Sequence, residues 1–477
     1  MRLLYRAMAG MAAAWVASAS LTASAQPITA SAGALRPDQQ AFFGLYKELI
    51  ETNTSLSVGS CTQAAAQIGA RLKAAGFADR DITLFSVPDH PKEGGIVAIL
   101  AGSEKNAKPM LLLGHLDVVE AKREDWARDP FKLIEEDGYY YARGAVDDKA
   151  MAAVWADSMV RFKASGYRPK RTIKLALTCG EETTFAFDGA QWLAQNRPDL
   201  IAAEFALNEG GGGRNDDKGK PQLLAIQVGE KAAQNYTFET TNPGGHSSQP
   251  MPDNAIYELA DALEAVRAHE FPVRFTDTTR AFFTATAAAN PGQVGDAITR
   301  LLANPEDKAA DALVSRDKAM HSTLRTTCVA TLLSAGHAEN ALPQRATANI
   351  NCRIFPGETV EETLAVLKTL AGPKVKVTAN QPIRPTAIPP TLDPKIVGPA
   401  KAIAAKHFPG LPLLPLMSTG ATDGIFLQAI GIPVYGAPGI FVDSDFNGIH
   451  GLNERIRVKS LYDGRDYLFD LVKAYAG

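Results

Sequence analysis

The sequence contains no run of lysines and arginines, no apolar stretch long enough to cross a bilayer beyond its N-terminal segment, and only four cysteines and eight histidines in 477 residues. With a formal net charge of -3, the missing basic runs leave no electrostatic footprint for a phosphate backbone, which excludes nucleic acid as a partner and points to a small molecule. The missing apolar run excludes a stable membrane span in the mature chain. Four cysteines are too few to staple a chain of this size. Cys61 and Cys179 read as buried thiols, while Cys328 and Cys352 flank a predicted hairpin symmetrically, which leaves a bridge between them open. No internal repeat and no low-complexity segment is present.

With 46% hydrophobic and 21% charged residues, the composition is that of an ordinary globular protein. Its first stretch carries Arg2 and Arg6, a short apolar segment, and Ala23-Ser24-Ala25 ahead of Gln26. That is the three-part pattern of an export signal with a small-residue cleavage site. Residues 1–25 are therefore expected to be removed, and the mature chain to be periplasmic or secreted.

Past a polar linker, two segments with helical spacing precede strand-like runs that alternate with helices: "GIVAIL", "KPMLLLGHLDVV", "DKAMAAVWADSMVRFKASG", "RTIKLALTCGEE" and "EFALNEGG". Such alternation predicts an α/β layer with a mainly parallel sheet. Asp137-Gly138 between two strand-like runs predicts a tight hairpin. After the glycine-rich "NEGGGGRNDDKGK", expected to be flexible, the order becomes β-α-β-β-α-β, which can stand as its own ferredoxin-like α+β domain. The expected division is a first catalytic part at 37–229, a lid or dimerisation domain at 230–382 with a helical insertion at about 268–322, and a second catalytic part at 383–477.

Polar residues recur at the ends of the apolar runs: His115 and Asp117, then Asp147 and Asp148, Glu181 and Glu182, Glu209, and His450. Ligands of open α/β sheets gather at strand carboxyl ends. Each residue alone has an ordinary explanation, since a lone His is often a hydrogen-bonded structural residue and an Asp after a strand is often a helix N-cap. Taken together, imidazoles with carboxylates and no thiolate suit zinc, and also manganese or cobalt. Two histidines and three acids are too many for one open zinc; they suit two metals about 3.5 to 4 Å apart sharing a carboxylate.

The ordered motifs "GHLDVV", "YARGAVDDKA", "CGEET", "NEGG", "GGHSSQP", "NALP", "NCRIFPG", "STGATDG" and "GIHGLNE" resemble the dinuclear zinc hydrolases that include glutamate carboxypeptidase, aminoacylase, acetylornithine deacetylase and succinyl-diaminopimelate desuccinylase. The resemblance runs over essentially the whole mature chain. It implies a zinc-exopeptidase-like catalytic domain interrupted by the lid, with two zinc ions per subunit, for which cobalt or manganese could substitute. It also implies that His115 and Glu209 hold one metal, that Glu182 and His450 hold the other, and that Asp147, two before Lys149, bridges them. Asp148 is left with the helix-capping explanation. Asp117, taken as lying two residues on in the same strand, would accept the free ring N–H of His115. Glu181 would be the general base.

In the lid, the same resemblance makes His246 an oxyanion stabiliser, commonly supplied across a dimer interface. It matches Asn340 and Arg353 to positions that hold a substrate carboxylate, and Ser418, Thr419 and Gly420 to a loop lining that pocket. Asn208 stands where many relatives carry an acid. Because extra lid sequence replaces a partner subunit in some relatives, the insertion at 268–322 leaves a homodimer and a self-sufficient monomer both open. The expected activity is hydrolysis of an amide or peptide bond beside a free carboxylate, of carboxypeptidase type. The alternative is an N-acyl-amino-acid amidohydrolase. A silent peptide-binding relative would be expected to have lost Glu181 or a ligand, and none is missing.

Overall fold

A computed structural model of the chain describes residues 35–183 and 187–477. The predicted export signal lies outside the described residues. The larger of two main sheets has ten strands. Its middle is parallel: Ile173–Thr178, Met110–His115, Phe205–Asn208 and Val434–Gly436 lie side by side in that order. Antiparallel pairings extend it in both directions, through His90–Leu100 and Ile82–Val87 on one side and Pro221–Glu230 and Gly212–Asn215 on the other. Leu413–Ser418 runs parallel to Pro221–Glu230.

The strand Met110–His115 is buried at every position. A central parallel strand is covered on both faces, so its residues do not alternate between apolar and polar. Met110 and Leu112 pack into one core with Trp155 and Phe162 of helix Lys149–Ala164. Leu111 and Leu113 point the other way, into a core with Ala190 and Leu193 of helix Gly189–Asn196. The indole N–H of Trp155 donates to the Leu113 carbonyl at 2.9 Å, fixing the first helix against the strand. Because the middle strands run parallel, His115, Thr178 and Asn208 all end at one edge of the sheet.

The second sheet has four strands. In sequence they are Ala232–Thr241, Thr327–Ala335, Arg345–Ile354 and Lys376–Ala379; in space the order is second, third, first, fourth. Helices Ala255–Ala268 and Val360–Ala371 lie between them in the chain, giving the expected β-α-β-β-α-β order. Asn254 caps the first helix, and Thr359 with Glu362 forms a capping box on the second. Alternate residues Tyr236, Phe238, Ala348 and Ile350 turn toward the helices and join the core that also holds Leu259 and Leu367. The intervening sequence forms four helices, Asp277–Ala289, Gln293–Ala303, Lys308–Val314 and Lys318–Leu324, around a small core of Phe283, Ile298, Leu301 and Val314.

The hairpin at Asp137-Gly138 joins Ile134–Glu136 to Tyr139–Tyr141, both turn residues having positive φ. Two expectations are corrected. Cys61 and Cys179 are not free thiols: they are bonded to each other, as are Cys328 and Cys352, which face each other across neighbouring strands. A separation of 118 residues carries no local signal; the pair forms because helix Cys61–Ala74 packs beside the sheet edge where Thr178 ends. The glycine-rich stretch is likewise a packed strand. A side chain at Gly213 would come within 2.1 Å of the Phe441 ring, and one at Gly211 within 2.3 Å of the Gly436 carbonyl. The glycines permit close approach.

Candidate active site

Five side chains, three at or past the ends of strands of the sheet, one from the turn before helix Lys149–Ala164 and one from a C-terminal loop, meet at the sheet edge in two triads that share Asp147. In one, His115 Nε2 lies 3.1 Å from Asp147 Oδ1 and 3.7 Å from Glu209 Oε1. In the other, His450 Nε2 lies 3.1 Å from Asp147 Oδ2 and 3.0 Å from Glu182 Oε2. Asp147 thus turns one oxygen to each triad. His115 is buried among the strands, whereas His450, at positive φ on its loop, is exposed.

His115 Nδ1 is 3.0 Å from the backbone carbonyl of Asp117 and 3.6 Å from its carboxylate. The strand ends at His115, so the two-residue alternation does not carry through to Asp117. The expected contact is therefore corrected: the main chain of Asp117 takes the ring N–H, and its carboxylate accepts the backbone N–H of Glu182 at 3.0 Å. A ring that donates from Nδ1 presents the Nε2 lone pair to two carboxylates. Three acceptors facing one another require a cation or a proton between them.

The electrostatics point the same way. Burial, reinforced by Asp147, pushes Glu209 well above the usual carboxylate range despite His115 nearby. Burial also raises Glu182, against the hydrogen bond from His450. Burial would raise Asp147 as well, but hydrogen bonds from His115 and His450 hold it below the usual range. Hydrogen bonds to Asp147 and Glu182 lift His450 to about 10. Crowded acids and imidazoles that cling to protons form a donor set that fits two divalent cations, with Asp147 between them.

Three further acids lie close by. Glu181 is pushed well above its usual range by burial and then by the charge of Glu209. Asp148 stands at the N-cap of helix Lys149–Ala164 without capping it; its Oδ2 accepts the backbone N–H of His115 at 3.3 Å. Glu454, absent from the expected set, is buried and receives four donors from the loop leading into Asp147. Oε2 accepts from Arg143 Nη1 and Gly144 N at 2.8 and 2.9 Å, and Oε1 from Val146 N and Asp147 N at 2.8 and 3.1 Å. Its signal was its place in "GIHGLNE", four residues after His450.

Glu181, Glu182 and His450 line a cavity of about 310 Å³ whose lid side carries Arg353, Asn235 and Asn351. The Asn235 side-chain oxygen accepts from Asn349 and Asn351 at 3.1 and 2.9 Å. Asn349, Asn351 and Arg353 alternate with buried Ile350 and Cys352, a period-two pattern that could have assigned all three to the cavity face. Thr422 and Asp423 line the opposite wall, whereas Ser418, Thr419 and Gly420 precede the lining segment. His246 and Asn340 sit together on the short ribbon Gly245–His246 with Ala341–Leu342, exposed and outside this cavity.

Known proteins resemble this chain over most of its length. The human protein "N-fatty-acyl-amino acid synthase/hydrolase PM20D1" is 29% identical over 386 residues, covering 78% of this chain and 75% of its own. Human aminoacylase-1 is 26% identical over 354 residues, covering 72% and 75%. Among solved structures, an M20 family metallo-carboxypeptidase from Sulfolobus solfataricus superposes with a TM-score of 0.71 at 19% identity, covering 93% of this chain and all of its own, which shows the shared fold. The family model for Peptidase family M20/M25/M40 matches residues 111–474; the chain belongs to that family and is a hydrolase.

Proposed function

We propose that this chain hydrolyses the amide bond next to a free carboxylate in a small peptide, as a carboxypeptidase-type exopeptidase. The observation that carries the reading is Arg353, which with Arg384 supplies positive charge to the cavity that holds Glu181, Glu182 and His450. A guanidinium is suited to a planar, bidentate grip on a carboxylate, and that grip would set the scissile carbonyl against the two triads. His115, Glu209, Glu182, His450 and the bridging Asp147 would hold two zinc ions. When bound, these polarise the carbonyl and make water a better nucleophile at neutral pH. Glu181, outside both triads but grouped closely with His115 and Glu182, takes the proton from the attacking water and returns it to the leaving amine. Its raised pKa suits a group that must carry that proton.

N-acyl-amino-acid hydrolysis uses the same residues, and the similarity to human PM20D1 and aminoacylase-1 favours it as the second reading. Two further features belong to the proposal. Two disulfides and the N-terminal segment support export to the periplasm or beyond. The exposed edge strand Thr327–Ala335, with Val329, Leu332 and Leu333 outward, supports a homodimer through the lid in which His246 serves the partner's site. The test is incubation of the purified protein with dipeptides, longer peptides and N-acyl amino acids, followed by mass spectrometry and elemental analysis. Release of C-terminal residues by a protein carrying about two metals is the expected result. Full activity after complete metal removal, or cleavage only of substrates lacking the carboxylate, would overturn it.

A further inference from the structure

The two triads stand between cavities of opposite character. The first holds Arg353. The second, of about 250 Å³, shares none of the first one's lining residues; it reaches Asp147 and Glu209 and is walled by Met151, Leu223, Leu416, Ile440 and Val442. Among the described residues a single cation, Arg214, lines this apolar space. It lies on strand Gly212–Asn215, two residues past Gly212 and therefore roughly 7 Å further along the same face, away from the Glu209 end. Its guanidinium lies 3.7 Å from the centre of the Phe446 ring, so one of its planar faces is covered.

The edge of that guanidinium is unsatisfied: Nη1 is buried and has no hydrogen-bond partner among the described residues. Burial lowers the Arg214 pKa, with no carboxylate acting in the other direction. A desolvated N–H donor on a charged group is costly unless an acceptor reaches it. The cavity's own acids belong to the triads or, in Asp148, to the His115 backbone. The missing acceptor is therefore one that a ligand would bring.

We propose that this cavity is the subsite for the acyl side of the scissile amide, and that it selects an apolar chain ending in a carboxylate, which pairs with Arg214. The proposal rests on the amide-hydrolase reading above: with the amine-side carboxylate at Arg353 and the carbonyl at the triads, the acyl chain continues past Asp147 and Glu209. Leu223, Ile440 and Val442 contact its methylenes. Arg214 fixes its far end with the two-pronged geometry that a carboxylate offers and a methyl group does not.

The probes are N-hexanedioyl-L-phenylalanine and N-hexanoyl-L-phenylalanine, which differ only in a terminal carboxylate or methyl group. We expect kcat/KM to favour the former by about tenfold or more, as for a site with a buried donor awaiting its acceptor. Equilibrium dissociation constants on Glu181→Gln protein should show the same preference without turnover. Arg214→Met should bring both ratios to about one, with Arg214→Lys intermediate and thermal unfolding reporting that each variant is folded. Equal ratios in the wild type and Arg214→Met, or a wild-type preference for the neutral chain, would overturn the assignment. Cleavage of dipeptides and N-acetyl amino acids but of neither probe would overturn the subsite and leave the amide-hydrolase reading standing. Failure to cleave any amide would remove both.

Discussion

Asp117 faces both triads at once: its carboxylate receives the backbone N–H of Glu182 at 3.0 Å, and its carbonyl lies 3.0 Å from Nδ1 of His115. One residue thus couples the end of strand Met110–His115 to the loop after Ile173–Thr178. Asp117→Ala removes the first contact and should weaken metal binding about 10- to 100-fold, the usual cost of losing a group that orients a ligand. Asp117→Asn keeps an acceptor oxygen and should lose less. Competition with a chelator of known affinity measures both.

Glu181 makes no contribution to either shared-Asp147 triad in this reading, so base and ligands should separate experimentally. Glu181→Gln should retain the wild-type metal content by elemental analysis and lose roughly 10²- to 10⁴-fold in kcat. Loss of metal together with activity would instead make Glu181 a ligand.

Glu454 anchors the loop that presents Asp147. Glu454→Ala leaves Arg143 without its buried partner and three backbone N–H groups without acceptors. Breaking a buried pair in this way costs about 3–5 kcal/mol, read as a lower denaturant midpoint, and metal affinity should fall with it because Asp147 loses its fixed backbone.

Cys179 lies two residues before Glu181 and ties that loop to helix Cys61–Ala74 across a separation of 118 residues. The double substitution Cys61→Ala/Cys179→Ala should lower stability by about 2–5 kcal/mol. Metal affinity should fall as the Glu181–Glu182 loop loosens. An unchanged midpoint by chemical denaturation would remove the bridge from the stability argument.

Glu230 is buried at the end of strand Pro221–Glu230, Oε1 has no hydrogen-bond partner among the described residues, and burial pushes its pKa to about 8. An acid whose folded pKa is raised binds its proton more tightly when folded. Its destabilising effect is absent below the unfolded value of 4.5 and grows as pH rises toward about 8. Stability should therefore decline over that window, with Glu230→Gln flattening the decline and gaining up to a few kcal/mol at alkaline pH. Denaturant titrations at a series of pH values give both curves.

Much of the site was legible because its residues end apolar runs. "KPMLLLGH", "IKLALTCGEE" and "FALNEGG" each announce a buried strand by composition, and a parallel arrangement sends their polar ends to one edge. The tight hairpin at Asp137-Gly138 and the β-α-β-β-α-β order are likewise local patterns. Arg214 and Asn235 were not legible, and Glu454 was marked only by its place in "GIHGLNE", which says nothing of its role. Nothing in their neighbourhoods distinguishes a carboxylate collecting four donors, or a guanidinium left short of an acceptor, from an ordinary surface charge.

The sequence by itself determined the α/β class, the strand ends that carry His115, Glu181, Glu182 and Glu209, and the family, because burial patterns and motif order are written along the chain. Only the tertiary structure decided which oxygen of Asp147 faces which histidine, that the carbonyl of Asp117 and not its carboxylate lies nearer the imidazole, that Cys61 meets Cys179, and that Arg214 turns a guanidinium N–H without an acceptor among the described residues into a largely apolar cavity. These are relations between groups far apart in the chain. Hydrogen bonds, bridges and desolvation depend on distances of a few ångströms, which periodicity and spacing do not encode.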